Sequence, residues 1–304
     1  MLCLFNPEHD LCLANGNPHY MPPASALHFA REGADLMRVL YPAAYAVDTA
    51  QAAAAWARLA AEGRPPQVVP WGWNIVLKTQ LLKCGIPASA MPSDSRLARW
   101  RQLQHRSTLL PLQPDSRPVS TPAQVDEMLA LHRAVVLKAP WSGSGRGLRF
   151  IVGAMGGHDT GWLLKVVREQ QCAIAEPWRA VADDFALEYR VLDGRLHFVG
   201  YSLFRSEKGV YRANMLLSDD YIAARTGAAS QLKPVLDEWL ARHIAPHYEG
   251  PLGVDCIRDT DGRLHVSELN LRHTMGLVAH AYLQHHPEAE GRCLQLEGGR
   301  LAVL

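Results

Sequence analysis

The chain has 304 residues, 48% of them hydrophobic and 20% charged, the balance of an ordinary globular protein of about two domains. Its formal net charge of +1 excludes a dedicated nucleic-acid binder with a strong basic excess. No apolar run approaches the ~20 residues that span a bilayer. The six cysteines form no C-x-x-C pair, and several lie in apolar runs, so they read as reduced thiols of a cytoplasmic protein. Residues 1–10 lack the basic and long apolar regions of a signal peptide.

In chain order, residues 1–5 suit a buried first strand that ends at the turn signal Asn6-Pro7. A helix is expected over Ala24–Leu40 and a strand at Tyr45–Val47. Asp48 then caps an Ala-rich helix that runs to about Glu62, with Gly63 at its end. Val68–Pro70 reads as a third strand, followed by the loop Trp71-Gly72-Trp73. Strands alternating with helices predict an α/β layer with a largely parallel sheet. Four prolines, Pro111, Pro114, Pro118 and Pro122, place a domain boundary between 1–118 and 119–304. Thr121 then suits an N-cap, Pro122 the first helical position, and Gln124 completes a capping box.

Hairpins dominate the second half. Strands Ala134–Lys138 and Leu148–Val152 flank a glycine-rich loop, and Trp162–Glu169 fits a helix before a strand at Cys172–Glu176. Phe185–Val191 and Leu196–Tyr201 are joined by Asp193-Gly194, a strong hairpin signal. Residues 231–244 are helical. Gly253–Arg258 and Arg263–Leu269 form a second hairpin around Asp261-Gly262, and a last helix starts near His273. Segregated hairpins and helices predict α+β.

The second hairpin carries chemistry. With Asp261-Gly262 as a two-residue turn, Asp255 lies opposite Glu268, and Asn270 shares their face. A four-residue loop preserves that shared face, whereas an odd-length loop separates the two carboxylates. Facing carboxylates repel unless something compensates them. A divalent cation would do so, and Asp, Glu and an Asn carbonyl are the oxygen ligands that Mg²⁺ takes. Lys138 stands at a strand end just before Pro140–Gly147. There, glycines admit backbone amides to phosphate oxygens and the ammonium adds a point charge. The loop fits neither G-x-x-x-x-G-K-[ST] nor G-x-G-x-x-G, which argues against a Walker or a Rossmann site.

Taken in order, these motifs resemble the ATP-grasp superfamily over roughly residues 119–280. Lys138-x-Pro140-x-Ser142-Gly143-Ser144-Gly145 is similar to its mobile phosphate-covering loop, and Ala173–Trp178 to its hinge strand. The resemblance implies that Lys138, Ser142, Gly143, Ser144 and Gly145 meet the nucleotide phosphates. It implies that Glu176 accepts from the adenine amino group, that backbone near Trp178 completes adenine recognition, and that Asp184 takes the ribose hydroxyls, with Glu188 as the alternative. Gly253-Val254-Asp255 and Glu268-Leu269-Asn270-x-Arg272 resemble the G-x-D and E-x-N-x-R metal motifs. Gly209–Asn214 resembles the basic-x-Asn segment of glutathione synthetase-like and ribosomal-protein-glutamylating members, which gives Arg212 a contact with phosphate or substrate carboxylate. Arg272 is expected on the same sheet face, holding a carboxylate or an oxyanion; His273 reads as structural. The lysine that many members carry upstream is missing, and among the arginines of Asp94–Thr108 the substitutes are Arg106 or Arg96.

The fold implied is an α/β N-terminal domain on the substrate side, followed by an α+β ATP-grasp core with a small mobile lid at about 119–180. The activity implied is ligation of a small-molecule or peptide carboxylate to an amine, or less often a thiol, through an acyl phosphate, with ATP and Mg²⁺ as cofactors. A phosphotransferase on the same fold and a non-catalytic nucleotide-binding regulator are the alternatives. Neither nucleic acid nor membrane is an expected partner, and a homodimer is allowed for. Asn6–Asp10 and Trp71–Asn74 read as substrate-side loops, because open α/β sheets bind ligands at strand C-termini.

Overall fold

Three sheets organise the described residues of the computed structural model, which are 1–63, 66–143, 147–207 and 209–304. The first is parallel, with β1 (Leu2–Leu4) between β2 (Tyr45–Val47) and β3 (Val68–Pro70). Leu2, Cys3 and Leu4 are all fully buried, as a central parallel strand covered on both faces requires. The helix expected over Ala24–Leu40 is two helices, Ala24–Glu32 and Leu36–Leu40. The break falls at Gly33, a poor helix former, and a side chain there would meet the Phe5 ring at 2.4 Å.

The second sheet is antiparallel, in the order β4 (Arg117–Val119), β7 (Ala173–Pro177), β5 (Ala134–Lys138), β6 (Leu148–Val152). The expected boundary at 118 falls inside β4. Alternation sorts its residues: Val135, Leu137, Ile151, Ala173 and Ala175 pack under the helices Pro122–His132 and Gly157–Gln170. Val136, Lys138, Phe150 and Glu176 face the other way, into a cleft. The Thr121–Gln124 capping box is present.

The third sheet has seven antiparallel strands. They are β8 (Val181–Leu192), β9 (Arg195–Glu207), β10 (Val210–Met215), β11 (Gly250–Asp259), β12 (Leu264–Asn270), β13 (Cys293–Glu297) and β14 (Arg300–Val303), in the order β12-β11-β8-β9-β10-β13-β14. The segment 209–214 is thus largely strand. On β8, Phe185, Leu187, Tyr189 and Val191 are fully buried in the main core with Leu236, Leu240 and Ile244. Each such side chain contributes about 1.5–3 kcal/mol by its removal from water. The intervening Asp184, Ala186 and Glu188 line the cleft on the opposite face. All six cysteines are free. Among the described residues, no helix is long and apolar enough to cross a membrane.

Candidate active site

A cleft of about 1820 Å³ opens between the second sheet, the third sheet and the loops that follow β1 and β3. Its floor is the β11–β12 hairpin. The turn differs from the expected one: Arg258 pairs with Leu264, and the Asp259 N–H donates to the Arg263 carbonyl, which leaves the odd-length loop Thr260–Gly262. The Asp259 carboxylate stabilises it by accepting from the Asp261 and Arg263 amides at 3.0 and 2.8 Å, and Gly262 takes φ +83°. An odd loop alone would put Asp255 and Glu268 on opposite faces. A bulge restores them: Cys256 pairs with Val266, but Asp255 pairs with Glu268, so Ser267 is the extra residue.

The two carboxylates therefore share a face with Asn270, whose Nδ2 donates to Asp255 Oδ2 at 3.1 Å. Burial and the neighbouring Glu268 charge push the Asp255 carboxyl well above the usual carboxylate range. Glu268 is held by Arg106, with 3.0 Å between Nη2 and Oε1. Among the described residues, no group of three His, Cys, Asp or Glu side chains converges as a metal site. The donor set at the hairpin is instead two carboxylates and an amide carbonyl, all hard oxygens, and it fits a cation that completes its shell with water and phosphate.

Lys138 projects from β5 over this floor. It forms a 2.7 Å ion pair with Glu176, its diagonal neighbour on β7, and donates to the hydroxyl of Ser267 at 3.1 Å. The bulge residue thus links Lys138 to the hairpin. Glu176 Oε1 is buried without a hydrogen-bond partner, an acceptor that an amino group entering the cleft would satisfy. Trp178 is 52% exposed, but its backbone N–H is already committed to the Ala134 carbonyl at 3.0 Å. The indole, rather than that N–H, is what Trp178 presents. Asp184 accepts from the Ser206 hydroxyl, and burial raises its carboxyl.

Of the two arginines weighed as substitutes for the upstream lysine, only Arg106 lines the cleft. Its guanidinium bonds the Ala139 carbonyl (3.1 Å), the Ser142 carbonyl (3.0 Å) and the Ser142 hydroxyl (3.3 Å), as well as Glu268. Arg96 stacks on Trp100 and pairs with Glu249 elsewhere. The base of the glycine loop is further pinned by Trp141, which lies 3.8 Å from the Arg101 guanidinium and donates to the Arg101 carbonyl. Ser142 and Gly143 belong to this pinned base; Ser144 and Gly145 lie outside the described residues.

Arg272 does not ride on a continuing strand, because β12 ends at Asn270. It reaches the cleft instead from the turn before the helix Met275–His285. Its Nε and Nη2 bond the two oxygens of Asp10, each at 3.2 Å, and Nη1 bonds the His273 carbonyl. Burial alone would raise the Asp10 carboxyl, but the Arg272 charge and the polar neighbours outweigh it and hold it below its ordinary value. Arg212 is exposed at the cleft edge beside a bulge in β10, and pairs with Glu207 at 2.9 Å. The structure therefore gathers Lys138, Glu176, Asp255, Glu268, Asn270 and Arg272 around one space, and leaves Arg212 at its rim.

Three residues of the site carried no decisive signal in the sequence. Asp10 meets Arg272 across 262 positions. Ser267, a lone hydroxyl within a strand, lines the cleft and accepts from Lys138. Glu188 is fully buried and accepts from Ser202 (3.0 Å) and Thr274 (2.8 Å), and burial pushes its carboxyl up to about 8. It ties β8 to the start of the helix Met275–His285, where a side chain on Gly276 would collide with it at 1.9 Å.

No family model matches the sequence, and no curated protein is similar enough to it to count as a relative. Solved structures do match. N5-carboxyaminoimidazole synthetase from Staphylococcus aureus, complexed with ADP, is 13% identical, with 74% of this chain and 72% of that one covered and a TM-score of 0.50. Pyruvate carboxylase from Rhizobium etli is 17% identical, with 75% of this chain but only 21% of that one covered and a TM-score of 0.52. At such identities the likeness is one of fold, and it agrees with the order of motifs along the chain and with the layout of its sheets: the chain has the ATP-grasp fold.

Proposed function

We propose that this protein is an ATP-dependent carboxylate–amine ligase, with a thiol as the less common acceptor. The single observation that carries the reading is the Asp255–Glu268–Asn270 face set directly beneath Lys138, with Ser267 bonded to the lysine. Acidic oxygens and basic side chains gathered in one cleft suit a polyphosphate with its cation better than either one alone. Mg²⁺ held by Asp255, Glu268 and the Asn270 carbonyl would supply positive charge against the phosphate oxygens.

The chain's own groups have the following roles. Lys138 and Arg106 place positive charge beside the phosphates, and Ser142 and Gly143 form the described part of the covering loop. Glu176, with its unpartnered oxygen, takes the adenine amino group. Asp184 receives the ribose hydroxyls. A substrate carboxylate oxygen attacks the γ-phosphorus and the bond to the bridging oxygen breaks, which releases ADP and leaves an acyl phosphate. The acceptor nitrogen then attacks the acyl carbon, loses its proton and expels phosphate. Arg272 lies where it neutralises the carboxylate and the oxyanion. No protein nucleophile is required. Residues 1–118 would supply the acceptor side, and residues 119–180 the lid.

Incubation with Mg²⁺, ATP and pooled metabolites, followed by mass spectrometry, tests this reading. A condensation product with loss of one water, formed together with ADP and phosphate, is expected. A stable phosphorylated metabolite would make the protein a phosphotransferase, and bound but unconsumed ATP would make it a regulator.

A further inference from the structure

The acceptor end of the cleft has two unlike parts side by side. One is the Asp10–Arg272 pair. Arg272 has five N–H groups, and Asp10 and the His273 carbonyl take three of them. One N–H remains on each terminal nitrogen, a fork that matches a second carboxylate. Each Asp10 oxygen keeps acceptor capacity beyond its bond to Arg272. The pair is electrically balanced, so a lone anion or a lone cation meets one attraction and one repulsion there, whereas a group carrying both charges meets two attractions.

The second part is apolar. The backbone N–H of His273, next to Arg272, donates to the Trp71 carbonyl at 2.8 Å. Trp71 meets Phe5 edge-on at 5.2 Å, and Phe5 meets Phe29 at 5.6 Å. Met275, three residues beyond Arg272, lines the same cleft with these three rings. Phe5 and Trp71 are buried and form the backing; Phe29 and Met275 are half-buried and offer their free surface. An ion pair beside an aromatic wall is complementary to a molecule with adjacent opposite charges and one apolar arm.

We infer that this subsite takes a free α-amino acid with an apolar side chain. Its carboxylate lies on Arg272, its ammonium on Asp10, and its side chain against Phe29 and Met275. The inference rests on the ligase reading for the use made of the bound molecule, but not for its binding. Asp10 is then the residue that discriminates amino acids from simple carboxylic acids.

Calorimetric titration of the whole protein, in the presence of Mg²⁺ and a non-hydrolysable ATP analogue, tests it. The probes are L-leucine, L-phenylalanine, 4-methylpentanoate, 3-methylbutylamine and L-glutamate. Both apolar amino acids should bind, and the other three should be at least tenfold weaker. Asp10→Asn should narrow the gap between L-leucine and 4-methylpentanoate to under threefold. Phe29→Ala, on the half-buried wall, should weaken L-phenylalanine more than L-alanine, titrated as a sixth probe, and serves if Asp10→Asn does not fold. Failure of both apolar amino acids to bind, or equal binding of the single-charge analogues, overturns the inference. Amino-acid binding with no ATP consumption would sink the ligase reading and leave this subsite standing. ATP consumption with another acid and no amino-acid binding would do the reverse.

Discussion

Asp255 stands opposite Glu268 because two one-residue irregularities cancel. The three-residue loop Thr260–Gly262 shifts the register by one, and the bulge at Ser267 shifts it back. The Ser267 hydroxyl accepts from Lys138 across the cleft. Deletion of Ser267 removes only the residue that bulges out, so Glu268 and Asn270 should stay on the face of Asp255 and most nucleotide turnover should survive. Ser267→Ala, which keeps the backbone, should also retain most of it. ATP consumption by the two variants checks this.

Lys138 and Glu176 form a largely buried pair whose Glu176 Oε1 is already unpartnered. Removing only the lysine strands a buried carboxylate. Lys138→Met should cost about 3 kcal/mol in urea unfolding, whereas Lys138→Met with Glu176→Leu should cost clearly less. Equal losses would mean that the pair is not coupled. Both variants should lose nucleotide affinity.

Much of this site was legible in the sequence, and the limits are physical. Period-two alternation and the Asp-Gly turns put Asp255, Glu268 and Asn270 on one hairpin. The Asp193-Gly194 turn has the expected two residues, with both φ values positive. Asp261-Gly262 does not, because the Asp259 side chain captures two loop amides and favours a wider turn. A local pattern tells which face a side chain occupies but not which distant group it meets. Asp10 was in view as a substrate-side loop residue, yet its pairing with Arg272 depends on how the first layer seats against the third sheet. Arg106 and Arg96 were equivalent as residue types, and only their tertiary contacts separate them: Arg106 meets Ala139, Ser142 and Glu268, whereas Arg96 meets Glu249.

Gly143 offers a double-mutant test of how the layers meet. A side chain there would come within 1.9 Å of Asp10 Oδ2, and Arg272 restrains that carboxylate from moving away. Gly143→Ala should cost about 1–3 kcal/mol, and Asp10→Ala in the same chain should recover part of the loss. Additive losses, read by thermal or chemical unfolding, would mean that the loop base does not rest on Asp10.

His273 should govern part of the acid sensitivity. Burial, above all, lowers its folded value from 6.5 to about 4; Arg190 and Arg272 add to this, while its bonds to the Trp71 and Pro70 carbonyls oppose it. The folded imidazole is neutral and accepts from the Tyr41 hydroxyl at 2.9 Å. The unfolded chain binds the extra proton between those values, so the contribution is full above pH 6.5 and is lost as pH falls toward 4. Between pH 7.5 and 5, wild type should lose about 2 kcal/mol more than His273→Gln. Parallel losses in the two proteins would remove His273 from this role.

The central claim is that Asp255, Glu268 and Asn270 hold the cation that accompanies ATP. The direct measurement is calorimetric binding of a non-hydrolysable ATP analogue, with and without Mg²⁺, to wild type and to Glu268→Gln. Wild type should bind the analogue at least tenfold more tightly with Mg²⁺, and Glu268→Gln should show little Mg²⁺ dependence while remaining folded. The same Mg²⁺ enhancement in both proteins would contradict the account.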